Sequence, residues 1–512
     1  MVRAPAGGRT LLLALESTEA AFDCDPPSGR VGRGPARPYH LAYHVFDALA
    51  APAIGTLDDG RLFADYTRMA GRLARSFEPR ERASRWVVTL REGVRSHAGN
   101  ELTAEDVVWS YERVMALRAI GMWRASTIAG IAREDGVRAL GRHRVEFRLE
   151  GHNPDFPRFL SYATAAVVDA AEARRHQSED DPWATAYLAD SPCGFGAFAL
   201  ARRDEERLEL APRPEFWAGA PPVDGVAYVA APTRERGLEL FESGAVNVLA
   251  GLYPDEARRV ERPGVRLLLG RTNHATIELD RSRAPFRERA VREAVLRAVP
   301  YKRVVEEGYL GFAERQRGIY QPNTPGYDES GWVYDTDPDG ARRLVERAGA
   351  SGSAVTFCVP GSAEGARIGA LVAEALGDAG LSVRVVTTAE LAEGEIPEMY
   401  LRGDCSHGIA DRHYDLGIDF AAPRGMPGRL FESVRLSARM RAIRQAPPAE
   451  QPELYRRLQL ELLADAAVVP LAGHSYVIAL REGLHPWFLS PAYLPLSSLL
   501  WSAARYVLPA IR

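Results

Sequence analysis

Leu90-Arg91-Glu92-Gly93-Val94-Arg95-Ser96-His97-Ala98-Gly99-Asn100-Glu101-Leu102-Thr103-Ala104-Glu105-Asp106-Val107-Val108-Trp109-Ser110 decides the fold. It closes a strand, Trp86-Val87-Val88-Thr89-Leu90, whose residues are the β-branched and aromatic types that strands favour. Gly93 and Gly99 permit tight turns, because glycine has no Cβ to clash. Thr103 is a good N-cap, and Asp106 three positions later fills the role that Glu or Gln plays in a capping box. Val107, Val108, Tyr111 and Val114 then form the apolar face of a helix. Val145-Glu146-Phe147-Arg148-Leu149 alternates apolar and polar and is the partner strand.

Outward from this stretch the same mixture continues. Leu11 to Leu15 reads as a first strand, and Pro26 to Pro38 as a Gly/Pro/Arg-rich surface connection. A helical stretch begins at Tyr39, with Leu41, Val45, Phe46 and Leu49 near helical spacing. Strands recur at 198–200, 208–210 and 226–229, and helices at 234–242, 290–298 and 340–348. Val355 to Val359, a helix over Ile368 to Ala379 and a strand over Val383 to Val386 make a β-α-β unit, with Gly380 as the helix stop. Strands and helices mixed throughout imply α/β lobes. At 512 residues the chain is too long for one ordinary core, so two or three lobes are expected.

Composition excludes several classes. With 46% hydrophobic and 26% charged residues the chain is an ordinary globular one. A net charge of -4 predicts no nucleic-acid partner and no membrane-binding surface. No apolar run approaches the roughly 18 to 20 residues of a membrane span, so no membrane insertion is expected. Of 64 Lys plus Arg only Lys302 is a lysine, as a GC-rich bacterial genome produces, and Schiff-base chemistry would have to use it. Cysteines 24, 193, 358 and 405 are scattered, which rules out zinc or iron-sulfur spacing and favours free, buried thiols. His40 and His44 share a helical spacing but lack an acidic partner, so no metal site is expected. No P-loop, dinucleotide fingerprint or Gly-x-Ser-x-Gly elbow occurs, and no cofactor is predicted.

Five landmarks together resemble the peptide, dipeptide and nickel class of bacterial extracellular solute-binding proteins. The opening stretch is similar to that family's strand, glycine turn and "leucine-Thr-Ala-Glu-Asp-Val" helix start. Arg213-Pro214-Glu215-Phe216-Trp217-Ala218-Gly219-Ala220-Pro221 resembles its "Asn-Pro-x-Tyr-Trp-x-Gly-x-Pro" turn. Pro285-Phe286 through Ala294 resembles a helix entry, and Tyr334-Asp335 through Ala348-Gly349 a following helix. Leu454-Tyr455 through Gln459, with Val468-Val469-Pro470, is the last. The resemblance implies a periplasmic-binding-protein-like α/β fold with two main lobes, a hinge and an inserted third subdomain. Lobe I would hold 1–38, 168–270 and 477–512, the insert 39–167, and lobe II 271–476. A ligand enclosed between the lobes by hinge closure is the implied mode of action.

The chain departs from the family at two places. The usual "Gly-Thr-Gly-Pro-Tyr" turn is Cys193-Gly194-Phe195-Gly196-Ala197-Phe198 here. Peptide-binding relatives carry a Trp and then an Asp that receives the peptide's amino terminus. This chain has Tyr414-Asp415, Asp419 and then Pro423-Arg424. Asp419 can substitute by a shift in register, while Arg424 in the cleft favours a carboxylate or phosphate on the ligand. Further cleft candidates by position are Glu16, to receive an amine, Tyr43 and Trp123, to stack on a flat ligand, and His274 at the implied second crossing.

Two functions are open at this point. One is the solute-binding component of an ABC importer, taking a small peptide-like or amine- and carboxylate-bearing molecule and delivering it to the transporter permease. The other is a biosynthetic enzyme on the same fold, for example one that closes a ring between an amine and an aldehyde in Pictet-Spengler fashion, with Glu16 as catalytic acid or base. Localisation separates them. Leu11 to Leu15 is too short for a signal-peptide core and Ala21-Phe22-Asp23-Cys24 is no lipoprotein box, so the chain reads as cytoplasmic as written. A start codon further upstream would make it an extracytoplasmic lipoprotein.

Overall fold

The computed structural model describes residues 10–15, 17–18, 22–23, 25, 39–56, 62–219, 221, 223–319, 327–391, 395–402, 434–466 and 468–482. The chain divides into two compact units, one drawn from 1–252, 260–268 and 478–512, the other from 253–259 and 269–477. Glu16, Tyr414, Asp415, Asp419 and Arg424 lie outside the described residues, as do Cys24 and Cys405.

The first unit holds strands β1 (Thr10–Leu15), β2 (Ala50–Thr56), β3 (Leu62–Gly71), β4 (Ala74–Arg80), β5 (Arg85–Leu90), β6 (Val137–Gly141), β7 (Arg144–Arg148), β8 (Phe198–Arg203), β9 (Arg207–Pro212), β10 (Gly225–Ala230) and β11 (Val248–Leu252). Its helices include α1 (Tyr39–Val45), α2 (Ala104–Leu117), α3 (Ile120–Trp123) and α4 (Arg234–Ser243). One sheet runs β8-β9-β10-β1-β11. β1 pairs in parallel with β10 (Leu12 opposite Ala227) and with β11 (Leu13 opposite Val248). The crossover from β10 to β11 is α4, as parallel pairing requires. Asn247 ties β11 to β1, accepting from the Leu12 N–H at 2.8 Å and donating to the Thr10 carbonyl at 3.0 Å.

The deciding stretch folds as the sequence predicts. β5 pairs antiparallel with β7, Val88 opposite Val145, inside a β4-β5-β7-β6 sheet. α2 covers one face of it, with Tyr111 edge-on to Phe147 at 5.1 Å. Gly93 (φ 72°) and Gly99 (φ 84°) are both left-handed. Asp106 accepts the Thr103 N–H at 2.7 Å and the Thr103 hydroxyl at 3.1 Å, so the capping carboxylate works as read, while the hydroxyl donates to it. The first helix stops at Val45, short of Phe46 and Leu49, although both are buried. Their apolar spacing reflects core packing of the segment that follows.

The second unit contains most of β12 (Val265–Leu279), then β13 (Ala313–Arg315), β14 (Ala354–Val359), β15 (Ser382–Thr387), β16 (Met399–Arg402) and most of β17 (Val468–Arg481). β14 pairs in parallel with β15 and β16, and β16 runs antiparallel to β12. α5 (Arg289–Ala298), α6 (Pro338–Arg347) and α7 (Ala363–Asp378) pack on this sheet around Val295, Val345, Phe357 and Ile368. A satellite core joins α8 (Val434–Gln445) to α9 (Gln451–Ala464) through Met440, Tyr455 and Leu458. Gly380 (φ 98°) ends the β-α-β helix as expected. The long strands β12 and β17 escape a sequence reading. β12 passes through Gly270-Arg271-Thr272-Asn273 without alternation, and β17 contains Pro470, which argues against a central strand. Cys193 and Cys358 are free and buried, as predicted for them.

Candidate functional site

The segment after β1 is the part of the first unit whose chemistry is most unusual. Two of its carboxylates enter the interior. Asp23, 3% exposed, takes both ends of the Arg113 guanidinium, at 3.1 and 2.6 Å, and Arg113 also donates to the Trp183 carbonyl. Asp25, 1% exposed, has no such counter-charge. Its Oδ1 accepts the Gly121 N–H at 2.9 Å, and its Oδ2 has no hydrogen-bond partner among the described residues. Burial pushes the Asp25 carboxyl up to about 7, against the pull of the Gly121 bond and of Arg113 and Arg124, with Asp23 adding to the rise. A Cβ at position 121 would lie 2.2 Å from Oδ2, so glycine there is what admits the carboxyl.

Trp123 ends α3 two residues on, 4% exposed, where the chain passes into a π-helical segment, Arg124–Ala129. Arg124 lies over the Tyr162 ring at 5.3 Å. α1, which carries Tyr43, and α3, which carries Trp123, both pack against the short 3-10 turn Ala163–Ala165. His274 falls within β12, in the other unit. Of the sequence-predicted residues, the structure therefore gathers the helices of Tyr43 and Trp123.

Sequence reading missed Asp23 and Asp25. In a loop flanked by proline and glycine, two aspartates look solvated, and nothing links Asp23 to an arginine 90 residues away. The departure at 193–198 proves to be structural. Gly194 and Gly196 lie against the end of α1, and a Cβ on Gly196 would meet the Val45 carbonyl carbon at 2.4 Å and the His44 oxygen at 2.5 Å. His97 locks this turn from the deciding stretch. Its Nδ1 lies 2.7 Å from the Gly194 carbonyl oxygen and 3.2 Å from the Gly194 N–H, and its Nε2 lies 2.8 Å from the Phe198 carbonyl oxygen. Burial lowers the imidazole pKa, against the pull of the Phe198 and Gly194 carbonyls. Arg213 of the second landmark donates to the Gly196 and Ser96 carbonyls, both at 2.9 Å. Two landmarks and the departing turn, far apart in the chain, thus meet at one junction.

A model of the bacterial extracellular solute-binding proteins, family 5, middle region, matches residues 68–407. The chain belongs to this family. A probable D,D-dipeptide-binding periplasmic protein of Escherichia coli is 23% identical over 457 residues, covering 83% of both chains. Di/tripeptide-binding protein 4 of Pseudomonas aeruginosa is 24% identical, covering 95% of this chain and 93% of the relative. Among solved structures, a periplasmic binding protein of Helicobacter pylori in complex with the peptide STSA superposes with a TM-score of 0.77 at 20% identity, covering 96% of this chain and 97% of that one. A binding protein of A. tumefaciens R10 in complex with agropinic acid gives 0.75 at 17% identity, with the same coverage. The fold is the periplasmic-binding-protein α/β fold that the sequence resemblance implied, and this family-5 member is a solute-binding protein. The enzyme alternative gains no support from these matches. Among the described residues no helix is long and apolar enough to cross a membrane.

Proposed function

We propose that this family-5 protein captures a small peptide-like or amine- and carboxylate-bearing molecule and hands it to the permease of an ABC importer. The observation that carries the reading is the family match over 68–407, supported by peptide-binding relatives that align along nearly the whole chain. The altered sequence at 414–424 directs the finer choice. Arg424, where an Asp is expected, suits a ligand carboxylate through two parallel N–H donors. Glu16 suits the ligand's amine, and Asp415 or Asp419 offers a second carboxylate. Tyr43, Trp123, His274 and Tyr414 complete the proposed ligand-binding set.

The test begins with the mass of whatever is released when the purified protein is unfolded. Di- and tripeptides, their C-terminal amides and simple amino acid conjugates are then screened by thermal shift and calorimetry. A ligand at a hundredfold excess over its Kd adds about 2.7 kcal/mol of stability, a shift of several degrees. Arg424→Ala is expected to weaken a free-carboxylate ligand at least about tenfold and to leave its amide unchanged. No binding by any of these compounds, together with turnover of an amine and an aldehyde that Glu16→Gln abolishes, would overturn the proposal.

A further inference from the structure

The outer face of the β4-β5-β7-β6 sheet carries a second feature, independent of the ligand reading above. In register across three strands stand Arg80, Arg85 and Arg148, each directly opposite the next. Like charges placed directly opposite on one sheet face repel and cost stability. The neighbouring row answers only part of that charge. Glu146, 3% exposed, accepts from both Arg85 and Arg138, and Arg80 pairs with Glu78. Arg148 has no ion pair and no side-chain hydrogen bond among the described residues, although it is exposed beside Arg85. The Arg85 Nε is buried and has no acceptor among them either.

The link between β4 and β5 shapes this face. Glu81, Arg82 and Ala83 all take left-handed φ values, 48°, 55° and 66°, in a region that costs a non-glycine residue about 1–2 kcal/mol. The turn sets Glu81 against Arg85 at 2.7 Å and brings Ser84 to the rim. The result is a depression of about 350 Å³ lined by Glu81, Ser84, Arg85, Arg138, Arg148 and Leu149.

The geometry points to this depression as a binding site for a small oxyanion, a carboxylate- or phosphate-bearing molecule, gripped by Arg148 and completed by Arg85. Such an anion supplies an acceptor to the exposed Arg148, separates the opposed guanidinium groups electrostatically and matches the planar donor fork of arginine. The strained turn and the repulsive pair are then features kept for binding at the expense of stability.

The experiment titrates the intact protein with citrate, inorganic phosphate and pyrophosphate by calorimetry at constant ionic strength. Saturable binding of the carboxylate or of a phosphate arm at a single class of site is expected, and the stronger arm names the chemistry. Arg148→Gln should weaken it about tenfold, while Arg342→Gln, an exposed arginine of α6 with Asp339 as partner, should leave it unchanged. Without anion at low salt, Arg148→Gln should melt no lower than the parent. Saturable binding that persists unchanged in Arg148→Gln belongs elsewhere and would overturn the inference. So would equal weakening by Arg342→Gln, or no saturable binding at all.

Discussion

Arg72 and Arg148 belong to the same unit and meet opposite fates. Arg72 is 2% exposed and clamps Asp47, itself 1% exposed, with two nitrogens, and Asp47 also accepts the Trp217 indole N–H at 3.0 Å. Asp23 with Arg113 repeats the pattern elsewhere in the same unit. Arg148 faces another arginine and has no carboxylate partner among the described residues. A charge taken out of water must find its opposite or lose its ionisation. A charge left in water need not, so an arginine held against its like on a surface has been spared that requirement. Asp25 stands between the two cases: it is buried like Asp47 but unpaired, and it meets the requirement by holding its proton to about pH 7.

The sharpest way to break this contrast is to remove the buried cation. Arg72→Met leaves Asp47 charged and unpaired in the interior, and a loss of about 3–5 kcal/mol is expected. Urea unfolding followed by tryptophan fluorescence measures it, because Trp217 rests on the same carboxylate. A loss below about 1 kcal/mol would mean that the pair is wet and the burial argument is wrong.

A smaller effect is expected where backbone approaches backbone. Gly196→Ala pushes a methyl into the Val45 and His44 main chain, which cannot swing aside as a side-chain tip can. The expected cost is about 1–3 kcal/mol, read as a lower melting temperature, with Gly377→Ala as an unobstructed control. Equal behaviour of the two variants would show that the junction at His97 and Arg213 is looser than described.

Asp25 offers the pH-dependent member of the comparison. Its folded pKa is raised from 3.8 to about 7, so the folded chain keeps a proton that the unfolded chain releases in that window. Its contribution to stability is full below about pH 4 and is lost as the pH rises through about 7. Asp25→Asn mimics the neutral form and keeps an oxygen for the Gly121 N–H. Its stability relative to the parent should climb between pH 4 and 7 by an amount of the order of a few kcal/mol or less, then level off. A flat difference across that range would mean that Asp25 is ionised and has found a cation.

Much of this contrast was legible at the level of elements. The deciding stretch, the capped helix behind it and the β-α-β unit announced themselves because glycine, threonine and alternating apolar residues act over three to six positions. The long strands β12 and β17 did not, since Pro470 and the polar run before His274 contradict local strand rules and are tolerated only by their neighbours. The proposed ligand set was legible as position within a family pattern, which ranks residues without giving a single distance.

Local chemistry along the chain was enough to determine the α/β mixture and where turns and caps fall, because those preferences act between near neighbours, while the fold family came from the resemblance of its ordered motifs to a known family. Only the folded chain could decide that Asp23 meets Arg113 while Asp25 stands alone, that Gly196 must be bare, and that three arginines line up across three strands. Those facts depend on which distant segments share a dry interior or a sheet register, and electrostatics in each place follows the neighbours that folding supplies.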